Sequence, residues 1–220
     1  MISRDRLVEA LRVTVITDVG YAAPRTVEDV VEEVLRAGAR TVQLRDKTAS
    51  ARMLFEEARK LRRLTSRWGA LLFVNDRFDV ALAAGADGVH VGPHDLPVAA
   101  LRVVAPSGFL IGHSAADPDL ARQAEADGAD YVGCGPIFPT GTKKDAGDVV
   151  GVEGLARVAS SVSIPVVGIG GITSEGARQI ARSTEAAGVA VVSAIMAAEY
   201  PGAAFWEILE PFGSSRGRKP

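Results

Sequence analysis

The chain has 220 residues, with 25 Lys and Arg against 27 Asp and Glu and a formal net charge of −2. That balance excludes the dense basic face of a nucleic-acid binder, and 47% hydrophobic with 24% charged residues excludes a chain that is disordered over most of its length. The longest uncharged apolar runs, such as Ile164 to Ile172, are about half of the ~20 residues that a bilayer-spanning helix needs.

In chain order, Val13 to Thr17 is the first apolar, β-branched run and is predicted as a strand. Val27, Val30, Val31, Val34 and Leu35 follow at i, i+3, i+4, i+7 and i+8, behind a Thr26 cap and ahead of Gly38, and predict a helix. Strands are next expected at Thr41 to Leu44, Leu71 to Val74, Gly88 to Val91 and Leu110 to Gly112. From Asp117 to Gly128 the pattern is again helical: Asp117 at the N-cap, Pro118 at the first helical position, Leu120, Ala121 and Ala124 on one face, and Gly128 as the stop. Tyr131 to Gly133, Pro165 to Ile169 and Val189 to Val192 complete eight strands.

Near-continuous apolarity is what strands covered on both faces require, so the sheet is expected to be parallel. Eight strand and helix alternations within residues 1–212 predict one α/β domain, a (β/α)8 TIM barrel, with a doubly wound open sheet as the alternative. Residues 213–220 are polar and basic and are expected to be a disordered tail. No secretory signal is visible near Met1, and a single cysteine, Cys134, forms no internal disulfide, so the cytoplasm is the expected location. Neither nucleic acid nor membrane is expected as a partner, and association into a homo-oligomer is left open.

A barrel of this kind builds its site at the C-terminal strand ends. The polar residues fall there: Gln43, Arg45 and Lys47 with the second strand, Asn75 and Asp76 with the third, His90 and Asp95 with the fourth, His113 and Ser114 with the fifth. The sixth is followed by a loop from Gly135 that includes Thr140, Thr142 and Lys143, the seventh by Gly170 and Gly171, and the eighth by Ser193. Gly170 and Gly171, ahead of Thr173 at the start of a helix and beside the Ser193 turn, suit a phosphate, with tight strand–helix packing as the bland reading. Asp76 and Asp95 can hold one Mg²⁺ whose other positions go to water and phosphate oxygens; alternatively Asn75 and Asp76 cap a helix over 77–84. Arg45, Lys47 and Lys143 bring the positive charge that a diphosphate needs. Cys134 reads as a small packing residue, and because His90 closes an apolar strand while His94 lies in the loop after it, the two do not form a helical zinc-binding pair.

The strings VQLRDK (42–47), NDRFDVALAAGADGVHVGPHDLP (75–97), GADYVGCGPIFPTGTKKDA (128–146), IPVVGIGGI (164–172) and VAVVSAI (189–195), in this order, resemble the thiamine phosphate synthase family. The resemblance implies a Mg²⁺-dependent transferase that joins hydroxymethylpyrimidine diphosphate to a thiazole phosphate, giving thiamine phosphate and releasing diphosphate. It assigns the pyrimidine diphosphate to Gln43, Arg45, Lys47, Asn75, Ser114 and Lys143. It also assigns Mg²⁺ to Asp76 and Asp95, and the thiazole phosphate to Thr140, Thr142, Gly171, Val192 and Ser193. Arg45, Lys47 and Lys143 are the expected catalytic cations. Three features depart from the family's usual pattern: Asp46 in place of Glu, His113 in place of an apolar residue, and Glu185 with Ala187 where a Gly-Ala-Asp run is common. Two alternatives are a thiazole tautomerase, which would need a histidine where this chain has Ala116, and a non-catalytic protein that binds thiamine phosphate.

Overall fold

Eight parallel strands close on themselves in sequence order: β1 (Val13–Ile16), β2 (Thr41–Leu44), β3 (Leu71–Asn75), β4 (Gly88–Val91), β5 (Leu110–Ser114), β6 (Tyr131–Cys134), β7 (Val166–Ile169) and β8 (Gly188–Val191). The computed structural model describes residues 2–142 and 147–213, so Lys143 and all of the expected tail beyond Gly213 lie outside the described residues. Because β8 pairs with β1, the sheet is a barrel and not a doubly wound layer. The helices are α1 (Arg4–Ala10), α2 (Val19–Ala22), α3 (Val27–Arg36), α4 (Ala51–Trp68), α5 (Phe78–Ala84), α6 (Val98–Val104), α7 (Pro118–Ala126), α8 (Gly151–Ser161), α9 (Ser174–Ser183), α10 (Ser193–Met196) and α11 (Pro201–Gly213).

Two helices show how local sequence sets their ends and faces. Thr26 and Asp29 form a reciprocal capping box at the start of α3, and its five apolar positions from Val27 to Leu35 are all buried; each such side chain contributes about 1.5 to 3 kcal/mol by leaving water. At α7 the Asp117 carboxylate accepts the N–H groups of Asp119 and Leu120, with Pro118 at the first position. Ala121 and Ala124 are buried as expected, but Leu120 is 47% exposed. It follows the cap on the solvent side, so two alanines alone form the packed face.

Alternation along the strands separates two cores. Val13, Val15, Val42, Leu72, Val74, Val89, Val91, Ile111, Val132 and Val189 face the helix layer. Ile16, Phe73, Leu110, Tyr131, Val167 and Ala190 fill the barrel, and Leu7 and Leu11 from α1 and its end close its N-terminal mouth. The large rings fit because the facing positions are glycine. A Cβ on Gly88 would lie 2.6 Å from Phe73 and 2.4 Å from the Leu110 carbonyl, and Phe73 then meets Tyr131 edge-on at 5.3 Å between centroids.

The Gly-Ala-Asp runs have a structural role. Asp87 accepts the Leu72 N–H and pairs with Arg62, and Asp130 accepts the Ile111 N–H and pairs with Arg102, each tying two strands at the barrel's lower rim. Gly85 and Gly128 supply the left-handed turns ahead of them. Helix α9 ends differently, on Thr184 in extended backbone, so Glu185 there needs no left-handed residue.

Candidate functional site

The upper mouth of the barrel is assembled from side chains that share the inward register. Gln43 is buried, Asn75 ends β3 and pairs in register with His90, and Ser114 ends β5 opposite Gly133. Asn75 and Ser114 thus belong to the strands themselves, past the ends expected at Val74 and Gly112, and His90 lies within β4 as expected. Ser114 Oγ lies 3.0 Å from His90 Nε2, and His90 Nδ1 lies 3.0 Å from the Tyr131 hydroxyl.

The cations stand one turn higher. Arg45 is anchored by its backbone N–H, which donates to Thr17 Oγ1 at 3.0 Å, and its guanidinium lies 3.9 Å from Asp18. Lys47 donates to Asp76 Oδ2 at 2.5 Å. The Asp46 carboxylate turns the other way. Partial burial pushes it up, but N–H groups of Thr48 and Ala49, the Thr48 hydroxyl and nearby Arg45 outweigh this and hold it below the usual range. Its shortened side chain serves as a loop cap, which an acid one methylene longer is not needed to reach.

Asp76 is the one non-glycine residue with positive φ, at +63°, among those described. Such backbone costs on the order of 1 kcal/mol or more and clusters at functional sites. Its N–H donates to the His90 carbonyl at 2.8 Å, which fixes the turn and aims the carboxylate at Asp95. The capping alternative fails here: α5 begins at Phe78, and no side chain caps its N-terminus. Partial burial, reinforced by the Asp76 carboxylate, pushes the Asp95 carboxyl above its usual range despite the Gly92 N–H at 2.7 Å and the Lys47 ammonium. Two facing carboxylates of this kind fit a divalent cation, although no group of three or more metal-ligating His, Cys, Asp or Glu occurs among the described residues. Any further ligands would come from diphosphate oxygens and water.

The opposite side of the mouth suits a phosphate. Gly170 and Gly171 have φ of +96° and +63°, and a Cβ on Gly171 would strike the Pro139 carbonyl at 2.5 Å, so this turn lies flat against the loop that carries Thr140 and Thr142. Within that loop the Thr142 N–H donates to Thr140 Oγ1 at 3.2 Å. Thr173 caps α9, accepting the Gly176 N–H. Val192 stands at the N-cap of the short α10, whose first residue is Ser193, and β7 and β8 are neighbours. A short extra helix after the eighth strand, beside the turn after the seventh, is where barrels of this fold bind phosphate groups.

Three side chains have settled places. His113 lies on the outer face of β5, in the parity of buried Ile111 and not of Ser114. Its Nδ1 is buried without a hydrogen bond, and burial holds its pKa below the usual value against the raising pull of Asp127 and Asp95. Cys134 is fully buried and packs in the helix-layer core; burial pushes its thiol up to about 12. His94 is exposed, and among the described residues it belongs to no group of three or more metal-ligating side chains. The role that sequence reasoning missed is that of Tyr131, which opens β6 as an ordinary aromatic. Its only signal was the pair of inward glycines at 112 and 133. A 490 Å³ groove lined by residues such as Arg157 and Arg182, and a 300 Å³ recess beside α1, lie elsewhere and take no part in this site.

Residues 13–195 match the family model described as thiamine monophosphate synthase. The thiamine-phosphate synthase of Archaeoglobus fulgidus is 47% identical over 205 residues, covering 93% of this chain and 95% of that protein. That of Chloroflexus aurantiacus is 50% identical over 188 residues, 86% of each. Among solved structures, thiamine phosphate pyrophosphorylase from Pyrococcus furiosus superimposes with a TM-score of 0.85 at 42% identity, covering 94% of this chain and 97% of that one. A 3-hexulose-6-phosphate synthase at 16% identity and TM-score 0.67 shares the fold alone.

Proposed function

The chain belongs to the thiamine monophosphate synthase family and is a transferase of thiamine biosynthesis, and on that footing we propose how its barrel mouth divides the reaction. The substrates are hydroxymethylpyrimidine diphosphate and a thiazole phosphate, and the products are thiamine phosphate and diphosphate. The observation that carries this division is the pairing of Asp76 with Asp95 and Lys47 above the inward-facing Asn75 and Ser114.

Gln43, Asn75 and Ser114 hold the pyrimidine diphosphate from below, Arg45 and Lys47 meet its phosphates, and Lys143, outside the described residues, is assigned to the same phosphates. Asp76 and Asp95 are the residues that would hold Mg²⁺, which supplies neutralisation of the departing diphosphate when bound. Thr140, Thr142, Gly171, Val192 and Ser193 hold the thiazole phosphate, turning the thiazole nitrogen toward the pyrimidine methylene.

The chemistry needs no base. The bond between methylene carbon and diphosphate oxygen breaks as the aminopyrimidine shares the positive charge, and the thiazole nitrogen, which carries no proton, forms the new bond to carbon. The side chains therefore position two rings and offset charge on the leaving group. This agrees with a mouth rich in cations and amides. The tautomerase reading finds no support, since position 116 is Ala and His113 faces the helix layer. A cytoplasmic location accompanies the proposal; it draws on the lone Cys134, buried as a free thiol, and no helix among the described residues is long and apolar enough to cross a membrane.

The test is diphosphate release by purified protein with both substrates and Mg²⁺. Release that requires both substrates and is lost on chelation supports the reading. Release independent of the thiazole phosphate would remove it.

A further inference from the structure

His90 is half-buried in the barrel, held in a slot that two glycines leave open. A Cβ on Gly112 would lie 2.6 Å from its Nδ1 and 2.2 Å from the Tyr131 ring, and one on Gly133 would lie 3.1 Å from its Cε1. The neighbouring interior positions are apolar, with Phe73, Leu110 and Val167 in the same core, so a leucine would satisfy packing alone. Instead a polar chain runs from the buried Tyr131 hydroxyl through half-buried His90 to Ser114. Buried polar groups cost free energy unless they are paired, and paired chains set one another's direction.

The direction of this chain follows from its members. Burial pushes the Tyr131 phenol far up, so it keeps its proton. At 3.0 Å from Nδ1 the phenol is the stronger donor and the imidazole nitrogen the better acceptor, so the phenol proton goes to His90 Nδ1. Neutral His90 then carries its own proton on Nε2, 3.0 Å from Ser114 Oγ. With one lone pair occupied by that N–H, the Ser114 hydroxyl has its own proton to give.

We propose that His90, fixed by Tyr131, is a positioning residue that turns the Ser114 hydroxyl into an obligatory donor toward the diphosphate-bearing substrate. The reverse direction would leave Ser114 presenting only lone pairs to an anion. The inference rests on the reading of Ser114 given under Proposed function and adds the residues that aim it.

The test is a double-mutant cycle. Ser114→Ala should lower kcat/KM for the pyrimidine diphosphate by about tenfold; no change overturns both the assignment of Ser114 and the relay. His90→Leu and Tyr131→Phe should each lower it about three- to tenfold and leave KM for the thiazole phosphate within about twofold. In the Ser114→Ala background neither should cost more than about twofold, because its action passes through the missing hydroxyl. Losses that multiply in full overturn the relay and leave the Ser114 assignment standing. Tyr131→Phe keeps the ring and carries the cycle should His90→Leu fail to fold, and His90→Gln, with an N–H near the place of Nε2, should restore most of the His90→Leu loss. Long-range ¹H–¹⁵N spectra of the full chain should show His90 as the Nε2–H tautomer; the Nδ1–H tautomer overturns the proposal.

Discussion

Lys47 and Asp76 join the loop after β2 to the left-handed turn after β3, Nζ to Oδ2 at 2.5 Å. The lysine side chain is 54% exposed, and such pairs contribute at most about 1 kcal/mol to stability. The pairing therefore matters for placement: it holds the Asp76 carboxylate facing Asp95. Asp76→Asn keeps the shape and tolerates positive φ, so the melting temperature should change little, while kcat should fall more than about a hundredfold, the equivalent of ~3 kcal/mol at the transition state. Excess Mg²⁺ should restore part of the rate. Wild-type turnover with wild-type Mg²⁺ dependence would end the metal assignment.

Asp95→Asn is expected to separate stability from function. Burial and the Asp76 carboxylate raise the folded-state pKa of Asp95 above its unfolded value. A raised carboxyl binds its proton more readily when folded, so stability falls as pH rises from the unfolded pKa through the raised one, and the cost is complete above it. Without Mg²⁺ at neutral pH the variant should melt higher than the native protein, by about 2 to 4 °C for each kcal/mol relieved. Below the unfolded pKa the difference should vanish. Added Mg²⁺ should raise the native melting temperature and leave the variant's unchanged. A variant that melts lower in metal-free buffer at neutral pH would contradict the charge argument.

His113 differs from its neighbour Ser114 in facing the helices. Burial depresses its pKa, opposed by Asp127 and Asp95, so its contribution to stability is complete above the unfolded value and is lost as pH falls through the depressed one. His113→Leu removes an imidazole whose Nδ1 is buried without a hydrogen bond. The variant should lose less stability than the native protein on acidification below about pH 6.5 and should retain kcat/KM for the pyrimidine diphosphate within about twofold. A tenfold loss of kcat/KM would show that His113 does reach the mouth.

The barrel was legible because each strand is buried on both faces, which leaves runs such as Val13 to Ile16 without a charged residue. The candidate site was legible in its position, because closure brings all eight strand ends to one mouth, and Arg45, Asp76, Asp95 and Ser193 follow their strands. What the sequence hid depends on closure in three dimensions. Nothing local marks Asp76 as left-handed, since its conformation is set by the His90 carbonyl from the next strand. The inward glycines at 88, 112 and 133 became meaningful only once Phe73, Tyr131 and His90 were seen to occupy their space. Leu120 satisfied the helical period and still faces solvent, because the period fixes a stripe and the neighbouring helices choose its width.

Ser193→Asp should discriminate the two anion sites. Ser193 opens α10, and Gly170 and Gly171 lie on the adjoining turn after β7. An acid in a helix's first turn is favourable to the fold, so the melting temperature should hold. The same carboxylate would stand in the cradle assigned to the thiazole phosphate, where like charge opposes binding. Affinity for the thiazole phosphate should therefore fall at least about tenfold, or 1.4 kcal/mol. The pyrimidine diphosphate, assigned to Arg45, Lys47, Asn75 and Ser114 from other strands, should bind within about twofold of its native affinity. Ser193→Ala, which removes one hydroxyl and adds no charge, should cost the thiazole phosphate only a few-fold. Calorimetric titration of each ligand alone reads all three quantities, and equal weakening of both ligands by Ser193→Asp would mean that the two anions share one cradle.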